Sequence, residues 1–130
     1  MPIATGTFEI TSMGEDAWYE RDGEPRLTRA HGTQVLSGDI QGDGRVEWLT
    51  CYSTTGSARL IGLQRVEGTV GGRCGSFVME ALADHDGSRS ICRWSVLEGS
   101  GSGDLAGMSG TGGFEAEGRT VSYHLTYDLG

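Results

Sequence analysis

The chain has 130 residues, with 23 glycines, two prolines, eighteen acids and ten arginines, for a net charge of −8. That length makes one ordinary domain, 1–130, able to bury roughly two-thirds of its extended-chain surface. There is no lysine, which excludes a Schiff base and a phosphate-loop lysine, and the acidic balance leaves no basic stripe for nucleic acid.

Taken in chain order, the segments read as strands. "TGTFEIT" alternates Phe8 and Ile10 with Glu9 and Thr11, the period of a half-buried strand. "GEDAWYERDGEP", Gly14 to Pro25, reads as the one long connection, placed to cover one end of the fold. "LTRAHGTQVLSGDI" is a long extended run, and "GDG" at Gly42 to Gly44 signals a hairpin. "RVEWLTCYS" turns near Gly56, "SARLIGLQRVEGTV" turns at Gly71 and Gly72, and "RCGSFVMEALA" turns near Asp86 and Gly87. "SRSICRWSVLE" leads into Glu98–Gly118, which holds eight glycines. A final pair turns at Gly118 into "RTVSYHLTYDL".

The glycine-rich stretch is neither a cofactor cradle nor a linker. Gly101 and Gly103 are followed by Gly107, one residue too late for the dinucleotide fingerprint, and no helical pattern follows. Leu105, Met108 and Phe114 punctuate it, and an alternating strand follows directly. About eight strands joined mostly by short loops predict an all-β, eight-stranded antiparallel up-and-down barrel, with a sandwich as the alternative.

Hairpin arithmetic assigns the two faces. Turns at Gly56 and Gly71 set Trp48 opposite Gly62, Val46 opposite Gln64, and Gln64 opposite Met79. A turn near Asp86 sets Met79 opposite Trp94 and Glu80 opposite Arg93, read as an exposed ion pair. The last hairpin sets Gly112 opposite Tyr123 and Gly110 opposite Leu125. One face then collects Phe8, Ile10, Trp48, Phe77, Met79, Trp94, Phe114, Tyr123 and Leu125. The other collects Glu9, Glu47, Arg65, Glu67, Glu80, Arg93 and Glu115, though apolar Leu49, Ile61 and Leu63 fall there too. Glycines facing bulky residues make room in a curved sheet.

"ATGTFEI", "LTRAHG…LSGDIQG", "GLQRVEGTVGGRCGSFVME" and "WSVLEGSGSGDLAGMSGTGGF…YHLTYDL" resemble a bacterial family of small domains of unknown function with an allene oxide cyclase-like β-barrel. The resemblance covers essentially the whole chain. It implies an eight-stranded barrel with a small-molecule cavity and implies no known reaction. Where that family commonly shows Gly-x-Glu-Arg, this chain has Gly62-Leu63-Gln64-Arg65, so an acid/base carboxylate becomes an amide.

The chemical candidates follow from this frame. His31, His85 and His124 have no shared ligand spacing, so no metal site and no cofactor are expected. Cys51, Cys74 and Cys92 are an odd set without a CxxC spacing and read as buried thiols of a reducing cytoplasm. No charged-then-apolar leader and no membrane-length apolar run occurs. Gln64, Tyr52 and Tyr123 are the candidate catalytic groups. Trp48, Phe77, Met79, Trp94, Phe114 and Tyr127 are the candidate substrate-binding wall. Two functions stay open. One is a cofactor-independent isomerase or cyclase that confines a hydrophobic, polyketide- or oxylipin-like molecule, with Gln64 or a tyrosine donating to developing oxyanion charge. The other is a non-catalytic carrier or sensor of an apolar small molecule. The expected partner is a hydrophobic small molecule, with no nucleic acid or membrane, and a homo-oligomer stays open.

Overall fold

The computed structural model describes residues 1–118 and 120–130, with the Thr120 side chain excepted. Arg119, part of the last predicted strand, lies outside the described residues. The strands are β1 (Ile3–Tyr19), β2 (Arg26–Gly38), β3 (Ile40–Tyr52), β4 (Ala58–Val70), β5 (Arg73–His85), β6 (Ser90–Val96), β7 (Ser102–Gly103), β8 (Ser109–Glu117) and β9 (Thr120–Asp128). Eight of these pair antiparallel with their chain neighbours, β8 following β6, and β1 pairs with β9 to close a barrel. The short β7 only edges the start of β5. Among the described residues no helix is long and apolar enough to cross a membrane.

The ladder fixes the barrel's stagger. From Phe8 it runs through Leu36, Gly42 and Gly68 to Gly75 in one direction. In the other it runs through Val121, Ala116 and Ser90 to His85. The two paths reach β5 ten residues apart (85 − 75), which is the shear of this eight-stranded barrel. Such a stagger tilts the strands steeply and makes the sheet coil. Three glycines, Gly42, Gly68 and Gly75, stand side by side on β3, β4 and β5. A Cβ on Gly68 would strike the Gln41 carbonyl oxygen and stand 2.7 Å from Gly42 Cα.

Several expectations are corrected. Gly42–Gly44 is no hairpin: both glycines lie within β3, and the turn comes earlier, at Gly38, whose φ of 97° needs glycine. Half of Gly14–Pro25 is strand, because β1 continues to Tyr19 against β2. In the β5–β6 hairpin Met79 faces Val96 and Trp94 faces Ala81, while Glu80 faces Ser95 and Leu82 faces Arg93. The loop there is longer than a tight turn, since the Asp86 carboxylate accepts from the backbone of Ser88 and Arg89. The last hairpin is likewise shifted by two: Gly112 faces Leu125, Gly110 faces Tyr127 and Phe114 faces Tyr123. A shift of two keeps every side chain on its face, so the predicted inner wall stands. Phe8, Trp48, Phe77, Met79, Trp94, Phe114, Tyr123 and Leu125 are all buried in one core, with Ile10 packed against it.

Candidate functional site

The barrel interior is crowded with rings at one level. Trp94 stacks on Phe8 with ring centroids 6.3 Å apart, meets Phe114 edge-on at 5.6 Å and lies 6.1 Å from Tyr123. Trp48, Phe77, Met79 and Tyr127 complete the buried wall. Toward the β3–β4 turn the inward positions become small or polar, among them Thr28, Thr50, Ala58, Ala83 and Cys92, all buried. The elements explain the choice of residues: period-2 alternation sends every second side chain inward, and glycine leaves room for rings at Gly62 beside Trp48 and at Gly6 beside Tyr123.

Every buried polar side chain among the described residues is neutral: Thr28, Gln34, Thr50, Gln64 and Ser76. Gln64 is fully buried, and its Nε2 donates to Gln34 Oε1 at 2.8 Å. Three buried polar atoms have no hydrogen-bond partner among the described residues: Gln64 Oε1, Trp94 Nε1 and Thr50 Oγ1. They occupy three consecutive inward rows. Thr50 lies across from Leu60, Trp94 belongs to the row of Trp48, Gly62 and Ala81, and Gln64 lies between Val46 and Met79. One is an acceptor, one a donor and one a hydroxyl that can be either. Leaving such atoms unpaired costs about 1–3 kcal/mol each.

The predicted catalytic tyrosines part company. The Tyr123 hydroxyl accepts from Ile40 N at 2.9 Å and donates to Ser37 O at 2.7 Å, so it clamps the β2–β3 turn. Burial, then the Asp39 charge, raise its pKa against the lowering effect of the Ile40 bond. Tyr52 sits half-buried at the rim. Its hydroxyl donates to Glu15 Oε2 at 2.5 Å, and Thr28 Oγ1 donates to the same oxygen at 2.6 Å. The Arg26 guanidinium lies 4.7 Å over the Tyr52 ring. Desolvation first, and then the Glu15 bond, raise the Tyr52 pKa.

Glu15, Thr28, Thr50 and Gln34 are absent from the sequence-based list. Glu15 joins the rim because β1 runs on past Gly14, setting Glu15 beside Ala30. The polar run "GEDAWYE" carries no alternation that could announce this. Thr50 was legible in principle, sharing its face with Trp48 two residues before it.

The thiols also differ from expectation. Cys92 is buried, but Cys51 and Cys74 are exposed. Desolvation pushes the Cys92 thiol up to about 12. Under native conditions near neutral pH, a thiol-reactive dye is expected to label Cys51 and Cys74 and to spare Cys92 until the chain is unfolded. Mass-spectrometric mapping of the adducts checks this, and native labelling of Cys92 at the rate of the other two contradicts it.

A family model described as "Protein of unknown function (DUF3224)" matches residues 4–127. The chain belongs to the DUF3224 family. A solved structure of a DUF3224 protein of unknown function from Shewanella oneidensis MR-1 is similar to it, with a TM-score of 0.83 at 25% identity, covering 98% of this chain and 97% of that one. A comparison with curated proteins gave no match. The DUF3224 barrel therefore comes with a fold and no assigned reaction. Chemically, its interior can orient a neutral molecule through one acceptor and one donor, while its rim holds a carboxylate bonded to a phenol.

Proposed function

We propose that this DUF3224 barrel binds an elongated, mostly apolar small molecule, polyketide-like or oxylipin-like, that carries both a hydrogen-bond donor and an acceptor. The observation that carries this is the trio Gln64 Oε1, Trp94 Nε1 and Thr50 Oγ1, buried, unpartnered and spread over three inward rows. Adjacent inward rows are about 6.6 Å apart along a strand, so a ligand reaching all three is long rather than compact. An apolar interior that carries a few polar atoms is the kind of lining a small-molecule site uses. An ordered water can satisfy one such atom; a donor and an acceptor on different rows suit a ligand better.

A catalytic form of this function rests on Trp94. Its indole N–H is the unpaired donor, whereas Gln64 gives an N–H to Gln34 and presents its oxygen. Trp94 therefore replaces Gln64 as the group that meets developing oxyanion charge in an isomerase or cyclase. The ring-lined wall supplies the confinement that folds a flexible substrate into one reactive shape. A carrier or sensor needs the same wall and leaves its ligand unchanged.

Native mass spectrometry of protein incubated with polyketide- and oxylipin-type compounds tests both forms. We expect a one-to-one complex. Gln64→Leu is expected to keep the fold and to weaken that complex about tenfold or more, the equivalent of one hydrogen bond. A recovered ligand with its original chromatographic retention marks a carrier, and an isomer of equal mass with a new retention marks an isomerase. If the wild type stays bare throughout and Gln64→Leu only lowers the melting temperature, the barrel is a filled scaffold and the proposal fails.

A further inference from the structure

The outer face of the barrel carries an apolar strip bracketed by charges that form no ion pair among the described residues. One outward row runs Arg29, Leu49, Ile61, Leu82, Arg93 across β2 to β6. The next runs His31, Glu47, Leu63, Glu80, Ser95. Leu49, Ile61 and Leu63 are 52%, 56% and 51% exposed, well beyond what a strand buries. The expected Glu80–Arg93 pair is missing because the β5–β6 register sets them two residues off. Ion pairs elsewhere join Arg59 to Asp84, Arg65 to Glu67 and Arg89 to Glu115, while Arg29, Arg93, Glu47 and Glu80 take part in none among the described residues. Between the rows a hollow of about 480 Å³ opens at Gly62, with Trp48 in its lining.

We infer that this strip is the interface of a homodimer. The pattern of the rows selects the second copy of this chain as its partner. A two-fold axis lying across the strands over Gly62 sets the first row of one copy on the second row of the other. Ile61 then meets Leu63 of the second copy, and the reverse contact follows by symmetry. Arg29 and Arg93 come over the row that holds Glu47 and Glu80, one strand away from each. Glu47 and Glu80 of the second copy come over Leu49 and Leu82, so four diagonal Arg–Glu approaches flank a centre of Ile61–Leu63 contacts. An axis parallel to the strands instead sets Arg29 on Arg93 and Glu47 on Glu80, and like charges reject it. The rows beyond bring Arg59 toward Arg65, but Asp84 and Glu67 already neutralise these.

Five strands about 4.8 Å apart span about 19 Å of a convex surface, because β2 to β6 run around half of the barrel. The area that meets flat is smaller than the about 800 Å² per partner of a standard stable interface, so the dimer is expected to be weak and concentration-dependent.

Sedimentation velocity across a micromolar-to-millimolar series tests this on the whole chain. The wild type is expected to pass from monomer to dimer. Ile61→Asp, an exposed position, is expected to leave the circular dichroism and melting temperature unchanged and to keep the protein monomeric throughout. Arg93→Glu is expected to weaken the dimer about tenfold or more, and the double variant Arg93→Glu with Glu80→Arg to restore it. A wild type monomeric at every concentration overturns the proposal and leaves the strip to a different protein. A dimer that survives Ile61→Asp overturns it too, because the interface is then elsewhere. Failure of the double variant to recover overturns the stated axis and its charge pairing.

Discussion

Gly68→Ala is expected to cost about 3 kcal/mol or more, and so to lower the melting temperature by about 10 °C or more. The added methyl has nowhere to go. Its Cβ would collide with the Gln41 carbonyl oxygen and stand 2.7 Å from Gly42 Cα, both backbone atoms of the neighbouring strand. Backbone can yield only by uncoiling β3 from β4, and closure with a ten-residue stagger depends on that coil. Gly44→Ala is the contrasting case. There the Cβ meets the ends of Gln34 and Leu36, side chains that can turn away. Its expected cost is about 1 kcal/mol, with loss of the Gln34–Gln64 bond. Thermal melts of the two variants, followed by circular dichroism, check the pair. Equal and small losses would mean that the glycine row is incidental to closure.

Tyr123→Phe is expected to cost about 2–3 kcal/mol while leaving the affinity of folded molecules for ligand unchanged. Removing the hydroxyl strands the N–H of Ile40, a residue with no solvent exposure, and frees the Ser37 carbonyl. The β2–β3 turn loses the Tyr123 hydroxyl that reaches it from β9. The pH dependence supplies a second check. Burial raises the Tyr123 pKa, so the contribution of this group to stability is complete below the ordinary tyrosine value of about 10. It falls as pH rises through the higher native value. Tyr123→Phe should therefore be less stable than wild type at neutral pH and should lose less additional stability on alkalinisation. Denaturant melts at neutral and alkaline pH measure both differences. Full stability at neutral pH together with lost ligand binding would transfer Tyr123 from the turn to the site.

These two residues also show where sequence and tertiary structure divide the work. Alternation alone placed Phe8, Trp48, Met79, Trp94 and Tyr123 on one inner wall, and it did so through register errors in two hairpins. Both errors were of two residues, and a strand's side-chain period is two, so the faces were unharmed. The class of fold, its strand number and its inner wall were therefore local information. What each side chain touches was not. The Tyr123 hydroxyl finds Ile40 and Ser37 only because closure brings β9 and the β2–β3 turn together, across more than eighty residues of chain. Glu15 reaches Tyr52 and Thr28 only because β1 continues along β2 through a stretch with no apolar period to reveal it. Gly42 and Gly44 look like a turn from their neighbours alone. The coil between β3 and β4 makes them strand, since Gly42 must lie against Gly68. Glu80 and Arg93 pass from an exposed cross-strand pair to two charges without an ion pair among the described residues, through a difference in loop length. Periodicity is a property of each segment and can be read from it; register, stagger and hydrogen-bond partners belong to pairs of segments distant in sequence, and only closure of the barrel decides them.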